Sequence, residues 1–311
     1  MKHGMLMNDR TKNPSTGSGF RSGFAAIAGA PNVGKSTLLN RLIGEKISIT
    51  SAKPQTTRNR IVGVMHAENC QIVFLDTPGL HASDKAFNKK IVQVAISAMD
   101  EVDLVLAVID ASRPDPRSEA MLIDRLKKRP GRPAVLAINK IDRIEKPALL
   151  EIIEKWKTLH PEFSAIVPVS AKLGIQVAEL ADAMEALLPE GPPFFPEDAV
   201  TDMPERFIVC ELVREKVVEN TGQEVPYGTA VTMEQFSEDE KLIRIHAAIH
   251  VERDSQKRII IGKHGAMLKT IGTQARMEVE NLLGKKVFLK LFVRVEKNWS
   301  RDARAMRKLG Y

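Results

Sequence analysis

A chain of 311 residues is longer than one hydrophobic core usually fills, so two domains are expected; 43% apolar and 27% charged residues exclude a disordered scaffold. No apolar run approaches the roughly 20 residues that span a bilayer, and no charged–apolar–small pattern marks a secretory leader, which predicts a cytoplasmic protein. The formal charge of +7 is unevenly spread: residues 253–311 hold fifteen Lys/Arg against five Asp/Glu, leaving the preceding 252 with −3. Positive charge gathered at one end fits a polyanion-binding module joined to a near-neutral partner, or else a solvated basic tail. Cys70 and Cys210 lie far apart in apolar runs and read as reduced, buried thiols.

Residues 1–21, rich in Gly, Ser, Asn and Lys, read as a tail. From 22 to 188, apolar runs (FAAIAG, IVGVMHAE, QIVFLD, DLVLAVID, PAVLAINK, SAIVPVS) alternate with helix-like stretches at 36–44, 87–99, 118–128, 147–159 and 176–187. Runs separated by helices predict an α/β domain with a mostly parallel sheet covered on both faces. The second and third runs are separated only by Glu68, Asn69 and Cys70, which predicts one antiparallel edge strand. Residues 189–199 carry several prolines and read as a stiff linker. From 200 to 311 the rhythm changes to a helix at 205–220, strands at 229–236 and 242–251, a turn at IIIGKHG, a long helix to about 283 and a final alternating strand. That order predicts a smaller α+β domain.

Gly29-Ala30-Pro31-Asn32-Val33-Gly34-Lys35-Ser36 follows an apolar strand and opens a helix with Thr37. This G-x-x-x-x-G-K-S loop can wrap phosphates with its backbone N–H groups at a positive helix end. Lys35 would reach the terminal phosphates and Ser36 a Mg²⁺ ion. Asp76-Thr77-Pro78-Gly79 ends a strand, with Asp76 placed for the metal and the Gly79 amide for the last phosphate. Asn139, Lys140 and Asp142 end another; a carboxylate at Asp142 would pair with the two donors of guanine, which adenine lacks. Ser170-Ala171-Lys172 ends a third, with the Ala171 amide set for guanine O6. All lie at strand C-terminal ends, where open α/β sheets bind ligands, and together they predict a GTP/GDP site. In Gln55-Thr56-Thr57-Arg58, Thr57 is favoured over Thr56 as the hydroxyl that senses the last phosphate through Mg²⁺, making Lys35 and Thr57 the candidate catalytic residues. Leu80 stands where a water-orienting Gln follows the Asp-x-x-Gly motif in Ras-like enzymes, which predicts slow intrinsic hydrolysis.

With GAPNVGKSTLLN, KPQTTRNRIVGV, DTPGL, NKID and SAK in place, residues 22–311 resemble the Era family of bacterial ribosome-assembly proteins, within the TrmE–Era–EngA-like P-loop GTPases. The resemblance implies a monomeric GTPase. It also implies a potassium ligand at Asn32, as in some relatives of the family, and association with the inner face of the cell membrane.

Ile261-Gly262-Lys263-His264-Gly265 lacks any hydroxyl after its second glycine, so it is not a second nucleotide loop. A Gly-x-x-Gly turn between helices lets a nucleic-acid backbone approach closely, the KH arrangement that clamps about four nucleotides of single strand. The wider match, residues 251–257, 262–265, 268–272 and Ala275-Arg276, resembles a type II KH domain. Candidate RNA contacts are Lys257, Arg258, Ile261, Gly262, Lys263, His264, Gly265, Lys269 and Arg276. By the family resemblance, the RNA is the 3′ end of 16S ribosomal RNA and the partner the maturing 30S subunit. Arg301, Arg304 and Arg307 extend the path to RNA, ribosome or membrane, or form a solvated face. Two readings from other classes stand beside this one: an RNA-binding protein with structural GTP, and a peripheral membrane regulator.

Overall fold

The computed structural model describes residues 19–51, 57–81, 86–222, 225 and 228–310, with 86–91 described for their backbone only. Six strands, β1 (Arg21–Ala28), β2 (Ile61–Ala67), β3 (Cys70–Asp76), β4 (Leu104–Asp110), β5 (Ala134–Asn139) and β6 (Ala165–Val169), form one sheet in the order β2-β3-β1-β4-β5-β6. All neighbours are parallel except β2, which pairs antiparallel with β3 as the short connection requires. β3, β4 and β5 are buried along their whole length because helices cover both faces, whereas the edge strand β6 is mostly half-buried. On one side α1 (Lys35–Ile43) and α5 (Val177–Glu185) contribute Leu38, Leu39, Leu42, Leu180 and Met184. On the other, α2 (Ala86–Asp100), α3 (Pro116–Lys127) and α4 (Lys146–Leu159) contribute Ala95, Met99, Leu122, Leu126 and Trp156. This doubly wound order places the ends of β1, β3, β4, β5 and β6 on one rim.

The proline-rich stretch is not a free spacer. Ser22 Oγ donates to the Pro192 carbonyl (2.7 Å), and Gln71 donates to Phe195 O (2.8 Å) while accepting from the amides of Phe194 and Phe195. Val64 N donates to Val200 O (2.9 Å), and Thr201 Oγ1 donates to Val62 O (2.6 Å). The segment is a strap along the edge strand β2, whose outward amides would otherwise be open for pairing. Prolines supply no donors, so Ser22 and Gln71 donate to the strap carbonyls while Phe194, Phe195 and Thr201 donate back to the sheet.

Beyond it come α6 (Glu205–Asn220), β7 (Ala230–Glu238), β8 (Leu242–Val251), α7 (Asp254–Ile261), α8 (Ala266–Leu283), β9 (Lys286–Val295) and α9 (Ala303–Lys308). β7 and β8 are antiparallel, β8 and β9 parallel. Ile243, Ile245, Ala247, Ile249 and Val251 alternate toward α6 and α8, where Val209, Val213, Val217, Ile271, Ala275 and Val279 meet them. The last helix, α9, is short and carries Arg304 and Arg307, while Arg301 lies in a separate 3₁₀ turn before it.

Candidate functional site

The loop after β1 closes over a cavity of about 720 Å³ lined by Ala30–Thr37, Ile49–Ser51, Thr57, Gly79, Lys140 and Lys172, among others. Asn32 adopts φ 62° and Gly34 φ 101°, which turns successive amides inward. A Cβ on Gly34 would lie 2.3 Å from Asn139 Nδ2, and one on Gly79 2.6 Å from Pro31 N, so both glycines permit an approach no other residue allows. Lys35 Nζ is buried and donates to Ala30 O (2.9 Å) and Gly29 O (3.2 Å). Burial lowers its pKa to about 8 against the attraction of Asp76, so an arriving phosphate would restore full charge.

Below the loop, Ser36 Oγ donates to Asp76 Oδ2 (2.7 Å) and lies 2.9 Å from Thr57 Oγ1; Ser48 Oγ also donates to Asp76 Oδ2 (2.9 Å). Burial pushes the Asp76 carboxyl above its usual range, only partly offset by Lys35 and these hydroxyls. Asp76 Oδ1 is buried with no hydrogen-bond partner among the described residues. Hard oxygen donors converging beside an orphaned carboxylate oxygen fit a divalent cation such as Mg²⁺. Thr57 places its hydroxyl here; Gln55 and Thr56 lie outside the described residues.

At the base end, Asn139 Nδ2 donates to Val33 O (2.8 Å), and Lys140 Nζ donates to Asn32 O (2.6 Å) and Asp110 Oδ2 (2.5 Å). Burial would raise the Asp110 carboxyl, but Lys140 and Ser112 outweigh it and hold it low. Ser170 Oγ donates to Asp142 Oδ1 (2.6 Å), fixing that carboxylate at the rim. The Ala171 amide, expected to face guanine O6, instead donates to Asn139 Oδ1 (3.0 Å). Thr77 is also redirected: its hydroxyl donates to Ile27 O (2.7 Å) and anchors the strand end, while Pro78 is buried beside it. Leu80 is fully buried and its amide donates to Gly29 O (2.9 Å), so its side chain faces the core rather than the cavity.

Several contributors carry no motif. Arg41 donates to the carbonyls of Ala171 (3.3 Å) and Lys172 (2.8 Å), holding the last loop in place. Asn40 brackets Ile47 and Ser48 with three hydrogen bonds. From the second domain, Glu215 on α6 is fully enclosed and accepts from Thr50 N (2.7 Å) and Lys46 Nζ (2.6 Å), while Lys46 also reaches Glu278 on α8 (2.6 Å). Arg58 donates to Thr229 O (2.7 Å), and Glu219 reaches the cavity wall.

In the second domain, α7 and α8 flank Gly262–Gly265. A Cβ on Gly262 (φ 71°) would meet Met267 Cβ at 2.7 Å, which makes glycine obligatory there. Lys263, His264, Arg258 and Lys269 are exposed around the turn, while Lys257, Ile261 and Arg276 are half-buried and Arg276 pairs with Glu280 (3.3 Å). Ile260 and Ile271 are core; Ile259, not among the expected contacts, is 44% exposed beside them. His250, one of two histidines on the β8 face, bonds Thr232 Oγ1 (2.8 Å), and no metal-binding group of acidic, His and Cys residues occurs among the described residues.

Residues 24–140 match the family model described as 50S ribosome-binding GTPase, and residues 224–300 the KH domain model. The protein called GTPase Era from Geotalea uraniireducens is 53% identical over 94% of this chain and 98% of its own length; that from Geobacter metallireducens is 55% identical with the same coverage. The chain belongs to the GTPase Era family. A crystal structure of Era in complex with MgGDPNP and nucleotides 1506–1542 of 16S ribosomal RNA superposes with a TM-score of 0.90 at 41% identity, over 94% of this chain and 99% of that one. A variant of Aquifex aeolicus Era bound to GDP and aluminium fluoride matches equally well. The expected fold, a P-loop GTPase domain followed by a KH domain, is therefore the observed one. No helix among the described residues is long and apolar enough to cross a membrane.

Proposed function

We propose that this GTPase links its nucleotide state to capture of a single RNA strand, the 3′ end of 16S ribosomal RNA, during 30S subunit assembly. The observation that carries the reading is the junction of the two sites: the segment that lines the phosphate end of the cavity is bonded through Thr50 to α6 of the RNA-binding domain. The similar structure holding MgGDPNP and a 16S segment supports both ligands.

In hydrolysis, the inward amides of Asn32–Lys35 and the Lys35 ammonium hold the phosphates and absorb charge as the terminal P–O bond breaks. Ser36, Thr57 and Asp76 would hold Mg²⁺, which when bound neutralises charge on the phosphate oxygens. Asp142, oriented by Ser170, selects guanine. Gly262–Gly265 and Lys263 grip the RNA backbone. The same reading gives a cytoplasmic monomer, with Asn32 as a potassium ligand and Arg301, Arg304 and Arg307 as the group for an anionic membrane surface.

RNA affinity measured with GDP, with a non-hydrolysable GTP analogue and without nucleotide, at one salt concentration, tests the proposal. Different affinities are expected; three equal values refute the link. Salt-sensitive liposome binding that competes with RNA checks the membrane role.

A further inference from the structure

The face of the second domain's sheet turned away from α6 and α8 is covered at one end, where Trp299, Met306 and Leu309 pack on Ala230, and carries at the other a surface that the Gly-x-x-Gly grip does not use. Residues directly opposite across β8 and β9 share a face: Arg244 with Phe288, His246 with Lys290, Ala248 with Phe292. Their neighbours Ile243, Val287, Ile245 and Leu289 point the other way, into the helices. Phe288 is 50% exposed, unusual for a phenylalanine inside a regular strand. His246 stands edge-on to both rings, 6.4 Å from Phe288 and 6.0 Å from Phe292. Lys290 Nζ lies 5.1 Å from the Phe292 ring and, among the described residues, has no carboxylate at ion-pair distance. Farther along, Ala248 and His250 are buried, so the open patch is confined to the Arg244–Phe288 end.

We infer that this patch is a second RNA-contact surface, on which bases leaving the Gly-x-x-Gly groove stack against Phe288 and His246 while Lys290 meets the backbone. The inference rests on the RNA-binding reading above. Three observations favour RNA as the occupant. Exposed aromatic rings interleaved with cations form the sequence-tolerant platform that single strands use. Carboxylates at the patch are occupied, Asp239 by Arg244 and Glu234 by Arg294, which leaves the Lys290 charge uncompensated. The chain's own residues 1–18, with three Lys/Arg against one Asp, have the wrong charge to cover it.

The surface is also continuous with the groove. A Cβ on Gly272 of α8 would lie 3.5 Å from Leu291, and Val279 packs in one cluster with Val287. α8 therefore runs back along β9, its first turn and the glycine turn at one end, its last turn beside Lys286 at the other. β9 is an edge strand whose alternate residues face the groove (Leu289, Leu291) and the outer surface (Phe288, Lys290, Phe292). A strand filling the groove need only cross this edge to reach the rings.

The test uses the full chain and two single-stranded RNAs by fluorescence anisotropy, one of about four nucleotides that fills the groove and one extended to about twelve. Phe288→Ala is expected to weaken the long RNA about tenfold and leave the short one unchanged, and Phe288→Tyr to restore binding. Lys290→Gln should lower the log–log salt slope for the long RNA by about 0.7. Wild-type affinity of Phe288→Ala for the long RNA overturns the inference, and so does an equal loss for both lengths, which would mark damage to the fold. Gly262→Ala separates the two readings: loss of the short RNA supports the glycine grip independently. A wild-type chain that binds neither RNA overturns the grip and the platform together.

Discussion

Glu215→Ala tests whether the two domains are held together by a specific polar junction. The carboxylate has no exposed surface and accepts from Thr50 N, Thr50 Oγ1 and Lys46 Nζ, with Lys216 Nζ at 3.3 Å. Breaking a buried ion pair by removing one partner costs ~3–5 kcal/mol when the other charge is stranded. Here the stranding is partial, because Lys46 is 40% exposed and both lysines keep Glu278 as a partner. The Thr50 amide, however, loses its acceptor, worth ~1–3 kcal/mol. The sum falls at about 3 kcal/mol, which is roughly a hundredfold in the docking equilibrium. Trp156 and Trp299, both buried, report separately on the two domains, so Trp299→Phe and Trp156→Phe backgrounds give one probe each. With urea slopes of ~1–3 kcal/mol per molar, Glu215→Ala should move the Trp299 midpoint down by about 1–3 M. Glu215→Gln, which keeps an acceptor for Thr50, should move it by less than half as much. Unchanged midpoints in Glu215→Ala, or a shift at Trp156 alone, would refute the junction.

Asp142→Asn should cut GTP affinity by at least about a hundredfold and raise that for xanthosine triphosphate, whose base offers the complementary acceptor; full GTP affinity in a competition assay refutes the assignment. Leu80→Gln should not accelerate hydrolysis, because position 80 is enclosed in the core: burying an amide there should cost ~1–3 kcal/mol in stability, and a faster single turnover would place the side chain in the cavity after all. Gly262→Ala should abolish RNA binding while leaving nucleotide affinity within twofold (roughly), since a Cβ at φ 71° meets Met267; intact RNA binding would show that the turn tolerates the strain.

The sheet and both glycine turns were legible because their signals are local: strand, loop and following helix adjoin in sequence, and each phosphate loop is one contiguous segment. Residues whose side chains turn away from the expected ligand were not. Thr77 sits inside the Asp76–Gly79 motif yet anchors β1, and the Ala171 amide serves Asn139. Asp110 looks like an ordinary strand-end acid until β4 and β5 are placed side by side, which brings it to Lys140. Ser48, Asn40 and Arg41 act through contacts that no spacing rule encodes. The proline segment shows the same limit: its stiffness can be read from composition, but its docking depends on Gln71 and Val64, which lie more than a hundred residues away.

The strap's attachment narrows how the two sites can communicate. Residues 192–201 are bonded to the first domain, so motion of the second is not transmitted by a loose tether. Contact remains, through Lys46, Arg58 and Asn59, and through Ile49 and Thr50 next to the cavity. Ser48 donates to Asp76 at the metal end of the cavity. The next side chain, Ile49, is 1% exposed among Ile208, Val209, Leu212 and Val279 of α6 and α8. Ser48 and Ile49 are adjacent on one short stretch of backbone, so a displacement of Ser48 by an incoming phosphate or cation is passed to Ile49 in its socket. α8, which lines that socket, begins at the RNA turn. Ile49→Ala empties the socket at a cost of ~2–5 kcal/mol if the site cannot collapse, and decouples the two motions. The ratio of RNA affinities between the GTP-analogue and GDP forms should then fall toward one, while nucleotide affinity persists. A ratio equal to that of the wild type would mean that the sites communicate by another route.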